Sequence, residues 1–190
     1  MEMRNFEKFF VNSDFCNFFH KRMIFPSFFG FINRNLIGKL LEIGCGIGET
    51  TKLFTKKYNK LMITAIDYDK EQIQIAKKNK NLKNIKFFHG DATKLKFKNS
   101  SFDYVMETNT FHHIKNYSKA IKEVGRVLKD NGTFYLIDIS RYVFIWPLCI
   151  FFPPESYFTK KEFIKNLENN GFRVEKSKCS LLFYIAARKI

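Results

Sequence analysis

Cysteine, proline, glycine and acid are all scarce in this chain of 190 residues, and each shortage closes off a class of protein. The four cysteines, Cys16, Cys45, Cys149 and Cys179, are scattered and form no C-x-x-C pair. They indicate neither a disulfide framework nor a zinc site, no metal is expected, and a reducing compartment suits them. Four prolines and nine glycines leave no linker or low-complexity stretch, and no internal repeat is visible. A single domain over residues 1–190 is expected. Long apolar runs are missing too. The longest, Tyr142 to Phe152, is about half the roughly 20 residues that a spanning helix needs, and Pro147 interrupts it. The first residues carry Glu2, Arg4, Glu7 and Lys8 where a secretory signal would need a clean apolar run. The expected location is cytoplasmic, with peripheral membrane contact left open.

Acidic residues number 18 against 33 basic ones, so the formal charge is +15. Such an excess suits nucleic acid or an anionic membrane surface. The lysines are nevertheless spread over the chain, and arginine is sparse beside abundant lysine, asparagine and isoleucine. That pattern also fits an A/T-rich genome, in which lysine is the common surface residue. What the chain has in plenty is hydrophobic content, 45%, including 24 phenylalanines, which argues for a packed core.

The most informative stretch is Leu40-Leu41-Glu42-Ile43-Gly44-Cys45-Gly46-Ile47-Gly48-Glu49. An apolar run ends in an acid, and three glycines spaced two apart lead into a helix-compatible segment. This reads as strand, tight turn and helix start. Glycines there permit unusual backbone conformations and let a ligand approach the main chain, with the free N–H groups of the helix start facing it. The spacing is G-x-G-x-G. It is neither the dinucleotide fingerprint G-x-G-x-x-G nor the phosphate loop. Packing alone is the competing reading. A second apolar run, Leu61 to Ile66, ends at Asp67, where a carboxylate suits the cis-diol of a ribose. Asp69 and Gln72 look like a capping box, which would leave Asp67 free for that role. A third run, Ile85 to His89, precedes Gly90-Asp91-Ala92; there Asp91 could accept from an exocyclic amine or simply form a turn.

Strand and helix patterns then alternate. Strands are expected at about 39–43, 61–66, 85–89, 102–107 and 132–139, and helices at 48–58, 70–79 and 116–129. The rhythm argues for a parallel sheet with helices on both faces. Thr159-Lys160-Lys161-Glu162 is a capping box that opens a further helix ending before Gly171. Residues 172–177 and 181–187 follow with no helix between them and are expected to pair antiparallel at an edge. Before all this, Phe6, Phe9 and Phe10, then Phe15, Phe18 and Phe19, recur at i, i+3, i+4. They suggest two short amphipathic helices broken near residues 12–14, either covering the core edge or forming a lid.

Taken in order, Glu42-x-Gly44-x-Gly46-x-Gly48, Asp67, Gly90-Asp91-Ala92, Phe102-Asp103-Tyr104-Val105 and Phe111-His112-His113-Ile114 resemble the class I S-adenosylmethionine-dependent methyltransferases. The likeness is greatest to the branch of quinone-biosynthesis and "type 11" small-molecule enzymes, and it spans roughly residues 36 to 139. It implies an α/β fold, Rossmann-like and doubly wound: a mostly parallel seven-stranded sheet with an antiparallel C-terminal edge hairpin. It implies a layout of N-terminal helical lid (1–37), cofactor core (38–140), apolar substrate-side segment (141–158) and C-terminal helix with strand pair (159–190). It implies S-adenosyl-L-methionine as cofactor. Gly44, Gly46 and Gly48, with Cys45 packed inside their loop, would wrap its methionine portion, and Glu42 would set its amino group. Asp67 would hold the ribose, Tyr68 would lie against the adenine, and Asp91 with the Ala92 N–H would take the adenine edge. Glu107 and Thr108 would border the methyl.

Methyl transfer from a sulfonium is an in-line displacement, so a general base is needed only if the acceptor must lose a proton. The candidates are His112, His113 and Glu107, with packing or backbone bonding as the alternative for either histidine. Phe18, Phe19, Phe144 and Trp146 are candidates to border the acceptor, because the apolar segment 141–154 stands where such enzymes insert substrate-binding residues. Core cover is the alternative. The expected activity is methylation of a small, apolar or lipid-like acceptor. The charge keeps open an RNA or protein substrate, although no appended RNA-binding domain and no Asn-Pro-Pro-Tyr-type motif is present. A catalytically silent cofactor-binding module is the third reading. Oligomeric state is not indicated.

Overall fold

The computed structural model describes residues 12–13, 18, 20–32, 34–78, 83–139, 158–179 and 182–190. Its centre is a seven-stranded sheet: β1 (Gly38–Ile43), β2 (Leu61–Asp67), β3 (Ile85–His89), β4 (Phe102–Thr108), β5 (Leu128–Ile139), β6 (Phe172–Cys179) and β7 (Leu182–Lys189). The strand order is β3-β2-β1-β4-β5-β7-β6. The first five strands run parallel, and β7 pairs antiparallel with both β5 and β6. The sheet expected from the alternation is therefore present, with its antiparallel edge hairpin.

Among the described residues five α-helices of eight or more residues cover the two faces. They are α1 (Phe25–Ile32), α2 (Glu49–Lys57), α3 (Lys70–Lys77), α4 (Tyr117–Val127) and α5 (Lys160–Asn169). One core joins Phe28, Phe31, Phe54, Ile73 and Ala76 of α1, α2 and α3 to Leu40, Ile63, Met106 and Tyr135 of the sheet. The other joins Ile121, Val124, Phe163 and Leu167 of α4 and α5 to Leu41, Ile43, Val105, Phe134 and Leu136. Burying such stripes on both sides is what makes a central parallel sheet read as nearly continuous apolar runs.

The helices expected around residues 6–10 and 15–19 fall largely outside the described residues. Phe18 is 66% exposed, while α1, which follows a π-helical turn at His20–Ile24, buries Phe25, Phe28 and Phe31. Pro26 and Gly30 read as breakers in sequence. Pro26 sits where the wider turn passes into the α-helix, so its missing N–H falls at the irregular junction. Phe6, Phe9, Phe10, Phe15 and Phe19 lie outside the described residues, as do Phe144, Trp146 and the rest of 140–157.

The strand order places β1 between β2 and β4. The chain winds one way from β1 to β3 and then crosses to β4. A crevice opens at the carboxyl ends of the strands at such a reversal, and ligands of open α/β sheets bind there.

Candidate active site

β1 delivers Glu42 and the glycine loop to that crevice. After Ile43 the chain turns, and the Gly44 and Cys45 N–H groups both donate to the Ile66 carbonyl, at 2.8 and 3.0 Å. The loop is thereby anchored to the tip of β2. Gly44, Gly46 and Gly48 adopt φ of 73°, 51° and 83°. The left-handed region is costly for residues with a Cβ. The surroundings of these glycines differ. A Cβ on Gly44 would overlap the Thr110 side chain at 2.0 Å, so that position serves packing. A Cβ on Gly46 would meet only Gln72 Oε1, at 3.8 Å, so that position faces open space. α2 begins directly after Gly48 without a side-chain cap, so the loop leads into an uncapped helix start.

Glu42 is fully buried. Its Oε2 accepts from Thr51 Oγ1 of α2 at 2.5 Å, while Oε1 has no hydrogen-bond partner. Burial holds the carboxyl at about 7, despite the Thr51 hydroxyl that favours the anion. An acceptor oxygen left bare in the interior is costly unless a ligand supplies a donor.

Asp67, at the tip of β2, is half-buried and already engaged. Its two oxygens accept from the Gly46 and Asp69 N–H groups, each at 2.8 Å, stitching the glycine loop to the start of α3. Each oxygen keeps a further lone pair. Burial raises its carboxyl, and the two N–H donors oppose that shift. Asp69 caps α3 as expected, accepting from Glu71 and Gln72 N–H. The reciprocal half of the capping box is absent: Gln72 Oε1 is buried without a partner and faces Gly46 instead.

On the far side of the crevice, β4 and β5 bring up a second set. Glu107 and Asp138 are fully buried on the α4 face. Glu107 Oε2 accepts from the Thr110 N–H at 2.9 Å, and Oε1 has no partner. Asp138 meets His112 twice, pairing with Nδ1 at 2.6 Å and accepting from the backbone N–H at 3.2 Å, and it also accepts from the Ile139 N–H at 2.6 Å. The short 3-10 turn Phe111–His113 folds back from β4 to make these contacts. At the β4 tip, Asn109 has φ 53° and leaves Oδ1 buried without a partner.

A family model described as "Methyltransferase domain" matches residues 41–136, which run from β1 to β5 and hold every strand-tip group above up to Thr110. The chain belongs to this methyltransferase family. Among curated proteins, demethylmenaquinone methyltransferases of Staphylococcus aureus are 33% identical to it over 105 residues. The match covers 54% of this chain and 44% of theirs, so the chain spans less than half the length of these relatives. A SAM-dependent methyltransferase structure from Aquifex aeolicus superposes with a TM-score of 0.77 at 21% identity, covering 100% of both chains. One from Methanosarcina mazei gives 0.69 at 23% identity, covering 88% of this chain and 97% of that one. These structural likenesses concern the fold.

The cofactor of such methyltransferases is S-adenosyl-L-methionine, and the residues present fit it. The bare Glu42 Oε1 matches the donor character of its amino group, and the space in front of Gly46 admits a chain that a Cβ would crowd. Cys45 is buried, and its thiol is pushed well above its ordinary value by burial and by the nearby Glu42 and Asp67 carboxylates. That suits the packing role and leaves little thiolate for nucleophilic work. Tyr68 is 45% exposed beside the His89 ring. Asp91 Oδ1 accepts from the Thr93 N–H and hydroxyl at 2.7 and 2.8 Å, a turn that presents the start of the β3–β4 connection. Ala92 is buried against the α4-side core, and Thr108 is half-buried at the end of β4. Of the two histidines, His113 is pushed down to about 3 by burial and by the adjacent His112.

Sequence reasoning missed Asp138, Asn109 and the inward turn of Gln72. Asp138 could have been found by the strand-tip rule that found Asp67, since it is the acid near the end of the fifth strand. The positive φ of Asn109 has no comparable signal.

Proposed function

We propose that this methyltransferase-family protein transfers the methyl group of S-adenosyl-L-methionine to a small, apolar or lipid-like acceptor. The observation that carries the cofactor half is the unpartnered, fully buried Glu42 Oε1 beside the glycine loop at the switch point of the sheet. Bound there, the cofactor supplies an activated methyl carbon, and the chain's own work is alignment and proton handling. Glu42 receives the amino group. Gly46 admits the methionine portion, with Gly44 and Gly48 packed beside it to shape the loop, and Asp67 offers its remaining lone pairs to the ribose. Tyr68, Asp91 and the Ala92 N–H frame the adenine, and Glu107 and Thr108 lie on the methyl side. His112, oriented by Asp138, is the preferred base for an acceptor that must lose a proton. His113 is a poor one, since its lone pair is held in a site that resists protonation down to about 3.

The acceptor half rests on the activity of the Staphylococcus aureus relatives, demethylmenaquinone methyltransferases, and on the apolar run 141–154 that follows closely after Asp138. Phe18, Phe144 and Trp146 are proposed to border that acceptor, together with Phe19. The charge of +15 is proposed to favour peripheral contact with an anionic membrane that carries it. Trp146 is the single tryptophan and so reports on this directly. A lipid-like quinol or anionic vesicles shift its emission to the blue, and the vesicle effect weakens as salt rises. An emission that responds to neither, together with methyl transfer to RNA from labelled cofactor, would replace the lipid-like acceptor with a nucleic acid.

A further inference from the structure

Glu107 and Asp138 are two carboxyl groups in one dry site. Glu107 pairs with Leu136 in the β4–β5 register, and Asp138 stands two residues further along the same face, so the side chains are diagonal neighbours. Both are fully buried. Among the described residues no lysine or arginine bonds to either. Among the described residues the titratable group bonded to the pair is His112 of the 3-10 turn, at Asp138. Like charge on a neighbouring buried carboxyl disfavours ionisation, and the hydrogen bonds around each group bias where a proton stays.

The hydrogen bonds decide it. Asp138 receives two backbone donors, the His112 and Ile139 N–H groups, and its Oδ1 also meets His112 Nδ1. These favour its anion. Glu107 has backbone donors on Oε2 alone, and nothing donates to Oε1. An accepting Oε2 leaves Oε1 as the oxygen that carries the proton. Burial and the Asp138 charge both hold Glu107 well above the usual carboxylate range.

We propose that Glu107 acts as a neutral carboxylic acid whose Oε1–H donates a hydrogen bond to an oxygen of the methyl acceptor, while Asp138 positions His112. The acceptor is accordingly a phenol, enol or quinol held by its oxygen. A cationic or purely hydrocarbon acceptor would leave this donor unmatched. The arrangement separates two jobs at one oxygen-bearing ligand: Glu107 donates to it, and Asp138 fixes the orientation of the His112 ring through Nδ1. This inference rests on the methyltransferase reading and narrows its substrate class.

The test uses the full chain saturated with S-adenosylhomocysteine and 4-nitrophenol as the probe, followed by its absorbance. The variants are Glu107→Gln, which keeps a neutral donor, and Glu107→Leu, which keeps the volume alone. Glu107→Gln binds the probe within about threefold of the parent, and Glu107→Leu binds at least about tenfold more weakly. Difference infrared spectra of parent minus Glu107→Gln at neutral pH show the carbonyl band of a protonated carboxyl. The proposal is overturned if Glu107→Gln loses as much affinity as Glu107→Leu, since a charge would then be required. It is also overturned if both variants bind like the parent, or if the infrared band is absent. Should the parent fail to bind S-adenosylhomocysteine at all, the failure lies with the methyltransferase reading beneath it.

Discussion

In the proposed role, Glu42 couples cofactor binding to pH. Its folded-state carboxyl sits at about 7, raised from the ordinary 4.5. The ionised form is the one that receives an ammonium, so a proton must leave Glu42 before the ligand binds at lower pH. Affinity is therefore at its plateau above 7 and falls as pH drops through 7, to roughly a tenth by pH 6. Calorimetry of S-adenosylhomocysteine between pH 6 and 8 checks this. Glu42→Gln flattens the profile, and a flat profile in the parent protein would remove Glu42 from the amino-group site. In the empty protein the same group acts on stability in the opposite sense to a salt-bridged acid. Folding binds a proton between 4.5 and 7, so stability falls as pH rises across that window and levels off above it. Glu42 and Asp67 were legible in sequence because each is an acid ending an apolar run. The partner of Glu42, Thr51, and the second role of Asp67 as the stitch between Gly46 and Asp69 were not. Those depend on how α2 and α3 pack, which no residue spacing records.

At the level of elements, the glycine loop separates into a packing position and a ligand position. Gly44→Ala forces a Cβ into Thr110 and keeps φ positive, so it lowers stability by about 2–3 kcal/mol or more. Gly46→Ala meets open space and costs only the backbone strain, about 1–2 kcal/mol, while its Cβ stands where the cofactor approaches. Urea unfolding and ligand titration distinguish them: Gly46→Ala folds and loses at least about tenfold in S-adenosylhomocysteine affinity, worth about 1.4 kcal/mol. Equal affinity in Gly46→Ala would mean that the loop does not contact the ligand. The capping box of α5 is intact, with Thr159 Oγ1 accepting from Glu162 N–H and Glu162 accepting from Thr159 N–H. Thr159→Ala lowers unfolding stability by about 1 kcal/mol without touching ligand affinity. That box was legible because both halves are side-chain to local-backbone bonds set by a spacing of three. The Asp69–Gln72 pair has the same spacing, yet Gln72 turned into the crevice instead. α1 was not legible, because Pro26 and Gly30 obscure a helix whose phenylalanines are held by tertiary packing on Phe54 and Tyr184.

At the scale of the molecule, the seven-stranded sheet with its reversed edge follows from a βα rhythm and one missing helix near the C-terminus, so it could be read from periodicity alone. The strand order then places Glu42, Asp67, Glu107 and Asp138 at one end of the sheet, although they are up to 96 residues apart in the chain. Among the described residues no helix is long and apolar enough to cross a membrane. The account as a whole claims that the crevice at the β1–β4 switch holds S-adenosyl-L-methionine through a backbone loop and strand-tip acids. The most direct test is calorimetric titration of S-adenosylhomocysteine and of NAD into the parent protein and Asp67→Ala. The parent binds S-adenosylhomocysteine at micromolar level and does not bind NAD. Asp67→Ala remains folded and loses about 2 kcal/mol of that affinity, because the ribose hydroxyls lose their acceptor and Gly46 loses its stitch. NAD binding without S-adenosylhomocysteine binding, or an unchanged affinity in Asp67→Ala, would contradict the account.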